Sequence, residues 1–202
     1  MLSARSTYDA IVLVGGAGSR LGGIDKAAVQ LAGCSLVSRP LEAVRDARTL
    51  VVVGRTSAEL PGHALRVVED PPGSGPAAAA VAGLRAIARP ADWTYLIACD
   101  LPGAVGAIQL LGAADVGDAD GVVLTDPTGR RQWLLGRYRS TAVHAAADEL
   151  GDPADRSMRA LLAGLQLAEI PADEVWRDVD TWTDHEQWAR RLGARRAVPP
   201  ES

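Results

Sequence analysis

The chain has 202 residues, 48% of them hydrophobic, two cysteines and a formal net charge of −4. That is enough apolar chain to bury one core, while the negative balance argues against a general nucleic-acid binder and Cys34 and Cys99 are too few for a disulfide framework or a zinc site. The first nine residues carry no apolar signal segment and no run approaches the roughly 20 residues of a membrane span, so no membrane partner is expected and the cytoplasm is the expected compartment.

Apolar runs alternate with segments of helical period, which predicts an α/β fold with a mostly parallel sheet. Ala10–Val14 reads as a buried first strand, followed by a Gly-rich loop. Ser35–Ala47 is predicted as a helix with Val37, Leu41 and Val44 on one face and Ser35 as N-cap. Thr49–Val53 and Leu65–Val68 read as the second and third buried strands. Ala77–Ala88 is the next helix, with Ala77, Val81, Leu84 and Ala88 on one stripe. Thr94–Cys99 is a strand, a helix follows through Val105, Ile108 and Leu111, and Gly121–Leu124 is another strand. Asp126–Gly129 is a turn after which Gln132–Tyr138 returns as a hairpin partner. Met158, Leu161, Leu162 and Leu165 repeat at helical spacing. Leu167–Ile170 and Trp176–Val179 read as extended pieces, and Thr183–Leu192 as a final helix. Trp176, Trp182 and Trp188 are expected to pack that helix on the sheet. Residues 1–194 form one predicted domain, and 195–202 a tail.

The chain holds twenty arginines but a single lysine, Lys26, and no phenylalanine or asparagine. A drift toward arginine would replace an indifferent lysine too. A compact ammonium on a flexible stem is not equivalent to a planar guanidinium, so a site that needs the former resists the change.

Lys26 ends the segment Val14-Gly-Gly-Ala-Gly-Ser-Arg-Leu-Gly-Gly-Ile-Asp-Lys, directly after the first strand. Five of the nine residues from Gly15 to Gly23 are glycine. Backbone of that kind can turn its N–H groups toward an anion, and Arg20 and Lys26 add fixed positive charge, so the loop points to a triphosphate. Counting from Gly16, the sixth residue is Leu21, which excludes the dinucleotide fingerprint. Gly23 is followed by Ile24-Asp25, which excludes a Walker A loop.

Three further segments follow strands. Glu69-Asp70-Pro-Pro-Gly-Ser-Gly75-Pro76 opens a helix of small residues, suited to close approach of a flat ligand to backbone amides. Cys99-Asp100-Leu-Pro102 ends a strand, where α/β sheets place their ligands. Asp100 there is a natural Mg²⁺ ligand, or alternatively a helix N-cap, and Cys99 reads as core. In Arg177-Asp178-Val-Asp180-Thr181, alternation puts Asp178 and Asp180 on one side of an extended segment, and Thr181 is a candidate helix cap. His63, His144 and His185 show no ligand spacing.

The loop from Leu13 to Lys26 resembles the signature of nucleotidyltransferases that make activated sugars and cofactors, above all the molybdenum cofactor guanylyltransferases. The resemblance covers nearly the whole chain. It implies a single three-layer α/β/α domain with a Rossmann-like sheet of the nucleotide-diphospho-sugar transferase type. It also implies transfer of GMP from Mg-GTP to molybdopterin, with contact to other molybdenum cofactor proteins. Cytidylyl transfer to the same pterin, another nucleotide-dependent transfer, or a GTP-binding delivery module are the alternatives. By this likeness Val14, Gly15, Gly16, Gly18, Asp70, Gly75 and Pro76 contact the nucleotide, with Arg20 and Lys26 on its phosphates. Asp100, together with Asp180, holds Mg²⁺, so that Lys26, Arg20 and Asp100 are the catalytic set. Asp178, Gln132 and Arg156 face the acceptor. The chain departs from the family at Val14, at Trp133 and at Trp182, the last two standing where proline is usual.

Overall fold

Strands buried on both faces need apolar residues at every position, and this chain supplies them in Ala10–Leu13, Leu50–Val53 and Val122–Leu124, all nearly inaccessible. The computed structural model describes residues 7–15, 24–172 and 178–196. Its main sheet has seven strands: β1 (Tyr8–Leu13), β4 (Leu50–Val53), β5 (Leu65–Val67), β6 (Trp93–Ala98), β7 (Gly121–Thr125), β8 (Arg131–Arg139) and β9 (Leu167–Pro171). Their order is β5-β4-β1-β6-β8-β7-β9. Six strands run parallel, and β8 alone is reversed, pairing antiparallel with β6 and β7. The predicted mostly parallel sheet and the hairpin return through Gln132–Tyr138 are both present.

Alternation along the strands sends side chains to two cores. On one face Ala10, Val12 and Leu124 meet Val37 and Leu41 with α1 (Ser38–Ala43), and Ala104, Ala107, Ile108 and Leu111 of α3 (Ala104–Ala113). On the other, Ile11, Leu13 and Val123 meet α2 (Pro76–Arg85), α4 (Ser140–Glu149) and α5 (Met158–Leu162). The result is the expected α/β/α layering. A third, smaller core joins Leu31 and Leu36, beside a two-stranded hairpin of β2 (Gln30–Leu31) and β3 (Cys34–Ser35), to Val179 and to Trp188 of α6 (Trp182–Arg196).

Several predicted elements are corrected. The helix expected from Ser35 begins only at Ser38, because Gln30 and Ser35 pair across a turn at Ala32-Gly33, both at positive φ. Ser35 is therefore in a strand and its hydroxyl bonds Ser38 Oγ (2.6 Å). β5 is an exposed edge strand rather than a buried one, with Leu65 44% accessible. α2 ends at Arg85, so Ala88 lies outside it and is exposed. Val105 faces solvent, and Ala104 and Ala107 take its place on the buried stripe of α3. α4 has no counterpart in the predicted elements. Trp188 is buried, but against the β2–β3 hairpin side and not the sheet, and Trp182 is half exposed with its ring edge-on to His185. Trp176 lies outside the described residues. No helix among the described residues is long and apolar enough to cross a membrane.

Candidate functional site

Parallel strands β1, β4 and β6 all end at the same edge of the sheet, and the chemistry-bearing segments leave from there. Val14 is buried, its N–H bonded to Val53 O at 2.8 Å. Gly15 and Gly54 cross closely: at Gly54 (φ +113°) a Cβ would stand 2.6 Å from Gly15 N, so only glycine lets the ends of β1 and β4 pass there. Gly16, Gly18 and Arg20 lie outside the described residues.

The chain re-enters at Ile24, and Asp25 fixes it. The Asp25 carboxylate accepts hydrogen bonds from Thr56 Oγ1 (2.9 and 3.1 Å), Ser57 Oγ (2.9 Å) and the Ser57 N–H. Burial works to raise its pKa, but the bonds from Ser57 and Thr56 outweigh that and hold it below the ordinary carboxylate value. Asp25 thus ties the start of the Lys26–Ala28 turn to the residues after β4. The sequence marked Asp25 only as part of the loop; the two hydroxyl residues following Val53-Gly54-Arg55 were the signal for its partner.

Lys26 points into the strand-end edge. Its ammonium contacts Asp100 Oδ2 and lies 2.6 Å from Asp180 Oδ1. The Lys26 and Asp100 side chains are only 15% and 13% exposed, and Asp180 is 43% exposed. Burial alone would lower the lysine pKa, but the two carboxylates outweigh it and hold the group charged above its ordinary value.

Asp100 lies two residues past the end of β6. It does not cap α3, whose N-cap residue is Gly103, so the capping alternative falls. Asp178 and Asp180 reach the same point because Val179 between them is fully buried in the third core and its N–H bonds Asp100 O at 3.0 Å. Asp100, Asp178 and Asp180 each offer a carboxylate oxygen, all within 4.8 Å of one another. Burial, then the charges of Asp100 and Asp180, push the Asp178 pKa up to about 6, with Lys26 working against them. Thr181 caps α6: its N–H (2.8 Å) and hydroxyl (2.6 Å) donate to Asp184 Oδ2 and its Oγ1 accepts from Asp184 N–H (3.2 Å). Cys99 is core, and burial pushes its thiol pKa up.

The fit of the cluster to a hard cation rests on its donors. All three groups are oxygen ligands, and the other Asp100 oxygen, Oδ1, is buried with no hydrogen-bond partner among the described residues. In this structure the Lys26 ammonium offsets the charge of Asp100 and Asp180, and the oxygens of the triad stay close enough to share a cation.

A cleft of about 1400 Å³ opens from this cluster toward the β7–β8 turn, lined among others by Pro76, Arg130, Gln132, Trp133 and Arg159. Pro76 starts α2 after Gly75 at φ +95°, while Asp70 is exposed before that loop. Gln132 donates to Asp126 Oδ2 (3.3 Å) and Arg130 O (3.4 Å), which steadies the turn. Arg131 is held by Glu169 (2.7 Å) with its guanidinium 5.4 Å from the centre of the Trp133 ring. Arg156 is exposed and gives its carbonyl to Ala77 N–H (3.4 Å), whereas Arg159 is among the cleft residues. Sequence reasoning passed over Arg130 and Arg159; their only signal was a position two residues before Gln132 and three residues after Arg156, both of which it did select.

A basic residue and clustered carboxylates at the carboxyl edge of a mostly parallel sheet stand where open α/β proteins bind their ligands. The chain is a member of the MobA-like NTP transferase domain family, whose model matches residues 10–170. Among curated proteins it is similar to the molybdenum cofactor guanylyltransferase of Serratia proteamaculans, 35% identical over 96 residues, 46% of this chain and 48% of that one. The chain spans about half the length of that relative and of the Pseudomonas putida relatives it matches. The probable molybdenum cofactor guanylyltransferase of Opitutus terrae is 29% identical over 195 residues, 90% of this chain and 93% of that one. The fold of this chain is similar to the crystal structure of the Mycobacterium tuberculosis Rv0371c homologue from Mycobacterium sp. strain JC1, with a TM-score of 0.71, 24% identity and coverage of 95% of this chain and 100% of that one.

Proposed function

We propose that this chain transfers GMP from Mg-GTP to molybdopterin, releasing pyrophosphate and forming a molybdopterin guanine dinucleotide. The observation that carries the reading is the convergence of Lys26, Asp100, Asp178 and Asp180 at the strand-end edge, beside a cleft large enough for a second substrate. The names of the curated relatives support guanylyl transfer in molybdenum cofactor synthesis as its chemistry.

The acceptor phosphate oxygen attacks the α-phosphorus, a new P–O bond forms, and the bond from that phosphorus to the bridging oxygen breaks as pyrophosphate leaves. The acceptor phosphate is already ionised at neutral pH, so no strong general base is required, and catalysis consists of positioning and charge neutralisation. Lys26, with Arg20, holds the phosphates. Gly15, Gly16 and Gly18 let the backbone approach the nucleotide, with Val14 as their buried anchor, and Asp70, Gly75 and Pro76 face the base. Asp100 and Asp180 would hold Mg²⁺, which would supply Lewis-acid stabilisation of the phosphates. Asp178 and Gln132, both on the cleft lining, serve the acceptor together with Arg156.

Pyrophosphate release measured with GTP, CTP, ATP and UTP, each with Mg²⁺ and with or without molybdopterin, tests the reading. GTP turnover that depends on the pterin is expected. Preference for CTP would keep the transfer and change the product, and binding of GTP with no pyrophosphate from any pair would make the chain a nucleotide-binding module.

A further inference from the structure

The ammonium of Lys26 lies on the carboxylates that the proposed metal needs. It contacts Asp100 Oδ2 and is 2.6 Å from Asp180 Oδ1, and both groups belong to the triad whose oxygens gather within 4.8 Å. Two cations cannot share those oxygens at contact distance without strong repulsion. The backbone that carries Lys26 is fixed, through Asp25 to Thr56 and Ser57 and through Val29 N–H to Lys26 O (3.2 Å). Relocation of the charge is therefore left to the side chain, whose stem has four rotatable bonds.

We infer that Lys26 is the resident cation of the carboxylate cluster before nucleotide binds, that a divalent cation must displace it from Asp100 and Asp180, and that the metal therefore enters together with the triphosphate rather than ahead of it. The inference rests on the reading of the cluster as the metal site. A triphosphate gives the displaced ammonium a new anionic partner, so metal and nucleotide bind with positive coupling, and by linkage the coupling is reciprocal. A metal ion arriving alone finds Asp100 Oδ2 and Asp180 Oδ1 already held by the ammonium, and the lysine it displaces has no phosphate to meet. The same side chain thus serves two anions in turn.

The test is binding of Mn²⁺ in the absence of nucleotide, followed by the spin-resonance signal of the unbound ion, in the native chain and in Lys26→Met and Lys26→Arg. Lys26→Met is expected to bind Mn²⁺ about tenfold more tightly or better than the native chain, the low end of ordinary coupling between ligands of one site, and Lys26→Arg to stay close to native. Equal or weaker Mn²⁺ binding in Lys26→Met overturns the inference. Asp100→Asn placed in the Lys26→Met background is expected to abolish the gain. Retention of the full gain there would overturn the metal reading itself, and the inference with it.

A second readout needs no variant. Lys26 is the only lysine of the sequence, so a chain labelled with ¹⁵N at lysine Nζ gives one side-chain signal. That signal is expected to be protected from water exchange without metal and to move along the Mg²⁺ binding curve. An ammonium signal unmoved at saturating Mg²⁺ overturns the displacement.

Discussion

Lys26 is set by its neighbours on both sides in sequence and in space. Asp25 holds its backbone and the carboxylates hold its ammonium in the absence of nucleotide, so its replacement removes a charge anchored at the site. Lys26→Ala is expected to lower kcat about 10²–10³-fold in pyrophosphate-release kinetics, the cost of losing one such donor, and full activity in that variant would remove Lys26 from the mechanism. Asp25 gives a pH signature. Its carboxyl titrates below the ordinary value of 3.8 in the folded chain, so it stabilises the fold above that pH, and the stabilisation is lost as pH falls through the depressed value. Thermal melts of the native chain and Asp25→Asn should therefore differ at pH 7 and converge as the pH drops below about 3.8. A gap that stays constant down to pH 3 would mean that the bonds to Thr56 and Ser57 do not hold the loop.

Elements bring these residues together at defined points of contact. α2 lies close to the sheet because Gly83 has no side chain: a Cβ there would meet Ile11 Cγ2 at 2.6 Å and Val53 Cγ2 at 3.0 Å. Alanine is the better helix former by about 1 kcal/mol, but overpacking a tight core costs about 1–3 kcal/mol, and neither β1 nor β4 can retreat from the centre of a sheet. Gly83→Ala should thus lower the urea midpoint, whereas an unchanged or higher midpoint would show that the helix can shift. α6 is held on Leu31 and Leu36 by Trp188, and Val179 in the same small core sets the direction of Asp178 and Asp180. Trp188→Ala is expected to cost about 3–5 kcal/mol of stability through the cavity left in this small core, and to loosen Asp180 from Lys26. Calorimetry reads the first effect, and the lysine Nζ signal the second.

The same elements show what a sequence can and cannot convey. β1, β4, β6 and β7 were legible because apolar runs of four to six residues between turn signals have few other readings. Asp100 and the Asp178-Val179-Asp180 triplet were legible as strand-end and alternating carboxylates. The β2–β3 hairpin was not, since two-residue strands have no period to detect, and its pairing borrowed Ser35 from the helix expected there. α4 escaped because its buried face is only Ser140, Val143 and Ala147, too sparse and too polar a stripe to stand out. β5 carries apolar residues but lies at the sheet edge, a fact of topology that local hydrophobicity does not encode. The pairing of Lys26 with Asp180, 154 positions apart, depends on a small core formed from residues that each read as ordinary packing.

Across the whole molecule, the sheet order separates two tasks. β1 and β4, with the loop that ends at Lys26, lie to one side of β6, and the reversed β8 with β7 lies to the other. Asp100 follows the strand between them, so the carboxylate cluster stands at the junction of the two halves, on the lining of the cleft. The measurement that bears most directly on this arrangement follows label through the reaction with molybdopterin, using GTP carrying ³²P at either the α or the γ position. The α label should appear in the pterin dinucleotide and the γ label in pyrophosphate. Transfer of the γ label to the acceptor, or an α label that leaves GTP only as GDP or GMP, would contradict nucleotidyl transfer at the Lys26–Asp100 site.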